Sequence, residues 1–388
     1  MNNEQSNCHL RLPRDEMRAL GYRVIDILVE HFGELPQKPV TRIAERAEME
    51  RQLCEPLPDE AREVMSVLSQ LQAEVFSHIM HVDPPRFFAF VPSPSNFVSV
   101  MAEALASGFN VFAGTWLEGS GPAEIELVTI DWLRQLYDLP DTAGGLFVSG
   151  GSMANITALT VARQINLNNR SDGAVVYGSD QTHSSIERGL KVLGFQPSQL
   201  RKLPSDDRFR YEIGCVLVRE NRWLKETFHI LPEYLKEINR AEEEVNFCDY
   251  GIQLTRGFRA LKLWMSLKVF GRKAFAAAVS RGFELAEFAE NLLRQLPNWS
   301  IVTPAQMGIV TFRYVPEGAS ASEVSRLNER LVAEMIRDGF AMLSSTTLRG
   351  ESVLRLCPIN PRTTEADLQE TINRLDRFAS TIRKGESL

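Results

Sequence analysis

Three places in this sequence hold residue types that could do chemistry. The first is Gly150-Gly151-Ser152, opening a helical stretch. Paired glycines let a backbone approach a ligand closely, and the free N–H groups and positive dipole end of a helix attract an anion. Ser152 adds a hydroxyl. A plain tight turn accounts for the same residues about as well. The spacing is not GxGxxG, and no lysine follows to make a P-loop. The second place is His183, where an apolar run gives way to a helix start. Ligands of open α/β sheets bind at such points. An imidazole there could stack on a flat ring or pass a proton; standing alone, it is better read as a polar loop histidine satisfied by its neighbours. The third is Tyr234 in LPEYL (231–235), which says nothing by itself. Glu118, Glu124 and Glu126 cluster near Pro122, but the last two are two apart and do not share a helix face. They read as a solvated helix start. His78 and His81 lack the HExxH or carboxylate context of a metal site.

The elements that must position these residues follow from periodicity. Residues 14–33 form an amphipathic helix (Met17, Leu20, Val24, Ile27, Leu28), ended by Pro36 and Pro39. A second helix is expected over 59–80, with a charged connector between. Neither makes a core alone. Residues 81–98 carry four prolines and four phenylalanines, which excludes a regular helix and gives an extended apolar loop. It either covers a core or walls a pocket. A helix over 122–138 presents Ile125, Val128, Trp132 and Leu136. Another runs from the glycine turn to about Gln164, and 174–177 make a short buried strand. Ser184-Ser185-Ile186-Glu187 fits a capping box with Ser184 as N-cap, and Gly194 is placed to end that helix. Alternation of this kind is α/β layering. Beyond 275 the pattern is a long helix (276–296), strands near 300–303 and 307–314, a helix (321–338), strands near 340–345 and 352–357, and a last helix (363–383). These make a small α+β domain.

Composition narrows the function classes. Of 388 residues, 44% are hydrophobic and 24% charged, enough for a sizeable core. Forty-three basic against 50 acidic side chains leave a net charge of -7, which argues against a nucleic-acid partner. No apolar run is long enough to span a membrane. Five scattered cysteines without CxxC suggest neither a disulfide framework nor a zinc ribbon, so a reducing cytoplasm is the expected location.

Taken in order, several blocks resemble the group II pyridoxal-phosphate-dependent amino acid decarboxylases, most of all the aromatic-L-amino-acid decarboxylase branch. They are DPPRFFAFVPSPSNFVSVMAEALASGFNVFAGTW (83–116), ELVTIDWLRQLYDLP (126–140), GGLFVSGGSMANITALTVAR (144–163), SDQTHSSIERGLKVLG (179–194), YEIGCVLVR (211–219), DYGIQLTRGFRALKLWMSLKVFG (249–271) and SVLRLCPINPRTTEADL (352–368). The resemblance implies an aspartate-aminotransferase-like α/β fold with a mainly parallel sheet in the large domain, here truncated. It divides the chain into a dimer-wrapping helical segment (1–80), a cofactor-binding large domain (81–275) and a small C-terminal α+β domain (276–388). It places the phosphate of pyridoxal 5'-phosphate at Gly151 and Ser152. His183 stacks on the pyridine ring with Ser184 beside it, and Pro92 and Ser93 line the substrate pocket. Tyr234 protonates the carbon that loses CO2. A homodimer acting on L-amino acids, aromatic ones first, is the expected assembly and substrate class. The tyrosine favours simple decarboxylation, since related aldehyde-forming enzymes replace it.

Three blocks of that family are missing. They are an NAGTT-like loop, the HVDAAYG aspartate that pairs with the pyridine nitrogen, and the HKW lysine that forms the Schiff base. The text passes from LRKLPSDDRFR directly to YEIGCVLVR, with the join near Arg210–Tyr211. Roughly three βα units, on the order of 100 residues, are absent. His81-Val82-Asp83 spells HVD but belongs to the substrate-loop block. Lys191, Lys202 and Lys236 lack the context of the missing lysine. Impaired catalysis is therefore expected, with a non-enzymatic remnant or a dimerising partner of an intact decarboxylase as the alternative. A general phosphoanion-binding protein would use the same 150–152 turn, but leaves the ordered blocks unexplained.

Overall fold

The computed structural model describes residues 12–204, 217–230 and 244–384. The join at 210/211, Tyr234 and Lys236 lie outside the described residues. The chain forms two compact units, 1–94 with 276–388, and 95–275.

The first unit begins with α1 (Arg14–Glu34), as the periodicity predicts. The charged connector holds α2 (Arg46–Leu53). The helix expected over 59–80 is shorter. It forms as α3 (Val64–Gln70), in which the Met65 and Ser66 N–H groups bond to the Glu63 carboxylate at 2.8 and 2.7 Å, and continues through one wider turn (Leu71–Val75) and one tighter turn (Phe76–His78). None of these three helices buries a residue.

In the second unit, α4 (Phe97–Gly108) is capped by Asn96, and α5 (Trp116–Leu136) by Thr115. The buried residues of α5 include Ala123, Glu126, Thr129 and Ile130, not the stripe through Ile125 and Trp132. Next come β1 (Gly144–Gly145), α6 (Gly151–Leu167), β2 (Val176–Ser179), α7 (Ser184–Val192), β3 (Leu200–Leu203), β4 (Leu217–Val218) and α8 (Arg222–Phe228). Strands β2 and β3 pair in parallel across α7, a βαβ unit, whereas β1 and β4 pair antiparallel. The mainly parallel sheet is thus represented, among the described residues, by one parallel pair. Parallel strands are normally covered on both faces; here Arg201, Lys202 and Leu203 of β3 are exposed, and Tyr177 of β2 is too.

Helix α9 (Ala260–Gln295) is broken at Gly271, whose φ of +76° suits glycine. The rest of the first unit then follows as β5 (Trp299–Gln306), β6 (Ile309–Tyr314), α10 (Ala321–Asp338), β7 (Ser344–Leu348), β8 (Glu351–Leu356) and α11 (Glu365–Lys384). The four strands make an antiparallel sheet ordered β5-β6-β8-β7. Phe312, Met335, Leu343, Leu354, Leu368 and Ile372 sit in its core, fully buried. Ser320 and Glu323 form the capping box of α10, and Gly339 closes it in the left-handed region. The apolar loop covers this core rather than standing free: Phe87, Phe88 and Ala89 are buried, and Phe88 N–H donates to the Met342 carbonyl at 2.7 Å.

Candidate functional site

Gly150 is the N-cap of α6 and offers no side chain, so among the described residues the N–H groups of the first turn have no side-chain cap. A Cβ built on Gly150 or Gly151 meets nothing within 4 Å, which leaves open space in front of the turn. Both residues and Ser152 are exposed, and the first turn carries no acid.

Helix α7 lies alongside α6 and points the same way. Asn155 Nδ2 donates to Ser185 Oγ at 2.7 Å, Gly189 packs on Ile156 and Leu159, and Arg163 Nη1 donates to the Leu193 carbonyl at 2.7 Å. These contacts run from N-terminus to C-terminus in both helices, so two positive dipole ends open on the same side. The N-cap of α7 is His183, not Ser184. His183 Nδ1 accepts the Ser185 N–H at 3.2 Å and lies 2.8 Å from Ser185 Oγ. Ser184 is the first helical residue and is exposed. Glu187 therefore has no cap to reach back to, and its carboxylate pairs instead with Lys202 at 2.9 Å. The chain Asn155–Ser185–His183 fixes the imidazole through Nδ1, and His183 as a whole stays exposed. Gly194, at φ +82°, ends α7 as expected, with Gly194 N–H on Lys191 O and Phe195 N–H on Leu190 O.

The structure therefore brings Gly151, Ser152, His183 and Ser184 to neighbouring helix starts. Pro92 is buried and Ser93 exposed in the other compact unit. Glu126 corrects the sequence reading: it is not solvated but fully buried, paired with Arg256 at 2.6 Å. Its phase with Ala123 and Ile130 was the available signal. Asn155 carried none, since an asparagine early in a helix is unremarkable. Neither Cys248 nor Cys357 is a ready nucleophile; burial pushes both thiols up to about 11. Among the described residues no cluster of histidine, cysteine or carboxylate suits a metal ion, and no helix is long and apolar enough to cross a membrane.

Two parallel helix starts, the first without a side-chain cap, beside an oriented imidazole suit a phosphorylated, flat, aromatic ligand. Comparison with known proteins gives that chemistry a family. The profile of the pyridoxal-dependent decarboxylase conserved domain matches residues 47–212 and 209–315. Aromatic-L-amino-acid decarboxylase from Bacillus atrophaeus is 38% identical, covering 96% of this chain and 98% of its own. Phenylacetaldehyde synthase from Arabidopsis thaliana is 23% identical, covering 95% and 96%. In three dimensions the fold matches Oryza sativa TDC solved with PLP and tryptamine, with a TM-score of 0.88 at 19% identity, over 96% of this chain and 99% of that one. The chain belongs to the pyridoxal-dependent decarboxylase family, aromatic-L-amino-acid decarboxylase-like, with the α/β aspartate-aminotransferase-like fold and pyridoxal phosphate as the family's cofactor. The two profile segments meet at 209–212, where the sequence joins. The Bacillus alignment spans 468 positions against 388 residues, so it passes over a long stretch that this chain lacks.

Among the described residues, those present fit that cofactor at its phosphate end, and none is placed to fit it at its aldehyde end. Lys202 is held by Glu187, and Lys191 stands about 12 Å along α7 from His183 at 1.5 Å per residue. No lysine of the sequence has the family's HKW setting.

Proposed function

We propose that this chain is an aromatic-L-amino-acid decarboxylase relative that holds the phosphate of pyridoxal phosphate but turns over amino acids poorly or not at all. The observation that carries this reading is a pair of parallel helix starts, the first without a side-chain cap, in a sequence that has neither the lysine block nor the aspartate block that the resemblance calls for near 210/211. When bound, the cofactor supplies an electron sink for the carbon that loses CO2. The protein's part in an intact enzyme is to anchor it by a lysine and keep its ring nitrogen charged. Here Gly151 and Ser152 hold the phosphate, His183 lies against the ring, and Ser184 flanks it. Pro92 and Ser93 line the substrate pocket, and Tyr234 serves as proton donor, which favours amine over aldehyde as the product of any residual activity. The chain works in the cytoplasm. Residues 1–80, 81–275 and 276–388 act as a dimer-wrapping segment, a cofactor domain and a small domain. Helices α1 to α3, which bury none of their own residues, support a homodimer. They equally suit a second reading, in which the chain pairs with an intact decarboxylase as a non-catalytic partner.

The test is incubation of the full chain with pyridoxal phosphate, borohydride reduction and peptide mass mapping, beside CO2 release from L-tryptophan, L-tyrosine and L-phenylalanine. The expected result is cofactor that dissociates on gel filtration, no modified lysine and no CO2. Turnover by protein of verified intact mass overturns the proposal.

A further inference from the structure

We infer that the buried Glu126–Arg256 pair is the positioning device of the phosphate-binding turn. The inference rests on the reading of that turn given above. Phe147 lies three residues before the Gly150 N-cap, and the ladder between β1 and β4 ends at Gly145. Among the described residues no strand holds Phe147. Side chains do so instead. Its N–H donates to Glu126 Oε1 at 3.0 Å, and its carbonyl accepts from Arg256 Nη2 at 2.7 Å. The same Nη2 meets the same Oε1 at 2.6 Å, so one charged pair grips both polar groups of one residue.

Arg256 is itself fixed. Its Nη1 faces the Ala113 carbonyl at 3.4 Å, and its own carbonyl accepts the Ala113 N–H at 2.9 Å. Its guanidinium lies 4.9 Å from the Phe247 ring centre. Both partners are almost completely buried, and among the described residues Glu126 Oε2 has no hydrogen-bond partner. A pair that leaves a carboxylate oxygen unsatisfied is a costly way to gain stability, and an apolar pair of similar volume does as well or better. What the charges add is direction. They set the path of 147–149, and hence where the N–H groups at the start of α6 point.

The experiment compares pyridoxal phosphate with pyridoxal, which lacks the phosphate, by equilibrium dialysis against the full chain. The variants are Glu126→Gln and the apolar double variant Glu126→Met/Arg256→Met. Each is checked for folding by circular dichroism and thermal melting. The expected result is a folded double variant that loses at least tenfold in affinity for pyridoxal phosphate and less than twofold for pyridoxal, with Glu126→Gln between it and the parent. A general loosening of the fold would weaken both ligands alike and overturns the inference. So does parental phosphate affinity in the folded double variant, and so does failure of both variants to fold, which makes the pair structural. Absence of phosphate-dependent binding in the parent overturns the reading of the turn itself, and this inference with it.

Discussion

Gly151→Ala separates an anion site from a simple turn. Gly151 is the first residue of α6, and a Cβ built there meets no atom within 4 Å. In the free protein the substitution is therefore sterically silent. Alanine restricts the unfolded chain more than glycine does, so the folded state gains about 0.5–1 kcal/mol. That corresponds to a rise of roughly 1–4 °C in melting temperature for a unit of this size. A bound phosphate needs the space the methyl group takes, along with the N–H groups behind it. Displacing it from one charge-assisted bond costs about 1.5–3 kcal/mol, or roughly tenfold to hundredfold in affinity. The two effects have opposite signs, so misfolding cannot imitate the result. Thermal melting and titration with pyridoxal phosphate, repeated with inorganic phosphate as competitor, measure both. A variant that melts higher yet binds as tightly as the parent refutes the anion-site argument and leaves 150–152 a turn and nothing more.

Two further outcomes follow from other parts of the chain. His31 and His81 sit with ring centres 5.6 Å apart, and both are shifted below 6.5, mainly by burial, then by Lys38 for His31 and by His31 for His81. The unfolded chain binds those protons more readily, so their contribution to stability is fully present above pH 6.5 and is lost as pH falls through and below it. Urea unfolding at about pH 8 and about pH 5.5 should show the loss, and His31→Gln/His81→Gln should flatten it; an unchanged slope rejects the assignment. Gly194→Ala places a side chain at φ +82° in the α7 terminus and should cost about 1–2 kcal/mol, read as a lower urea midpoint; no change would mean the turn tolerates it.

How much of this was legible in the sequence depended on where each residue's partners lie. Helix α10 needed only its own letters: the Ser320–Glu323 box, the apolar phase of Val324, Leu331 and Met335, and Gly339 fix both ends. The glycine turn and His183 were equally local. Ser184 misled because two adjacent residues compete to cap α7, and the imidazole wins by reaching Ser185, which Asn155 of another helix holds. Glu126 misled because its partner is 130 residues away. A carboxylate in phase with Ala123 and Ile130 is either an error of phase or half of a buried pair, and the sequence alone does not name the other half. The short course of α3 has a related cause: apolar spacing was present, but among the described residues no partner surface buries it.

The two units bear the missing segment unequally, and this bears on what the chain can still do. The antiparallel sheet β5-β6-β8-β7 packs against residues of α9, α10 and α11. Its core comes from the part of the chain after the join and from Phe88, so nothing in it depended on the absent blocks. The second unit keeps α6 and α7 because their contacts are mutual and local. Its strands fare worse: β2 and β3 are left as a pair, with exposed side chains on the strand that leads toward the join. Binding at helix starts needs the helices and the turn before them, whereas the proposed chemistry on the bound ring calls for the lysine and aspartate blocks that the resemblance implies and this sequence lacks. On the proposed function, anion recognition outlasts catalysis in this chain. The buried grip of Glu126 and Arg256 on Phe147 is the feature that lets it do so without a neighbouring strand.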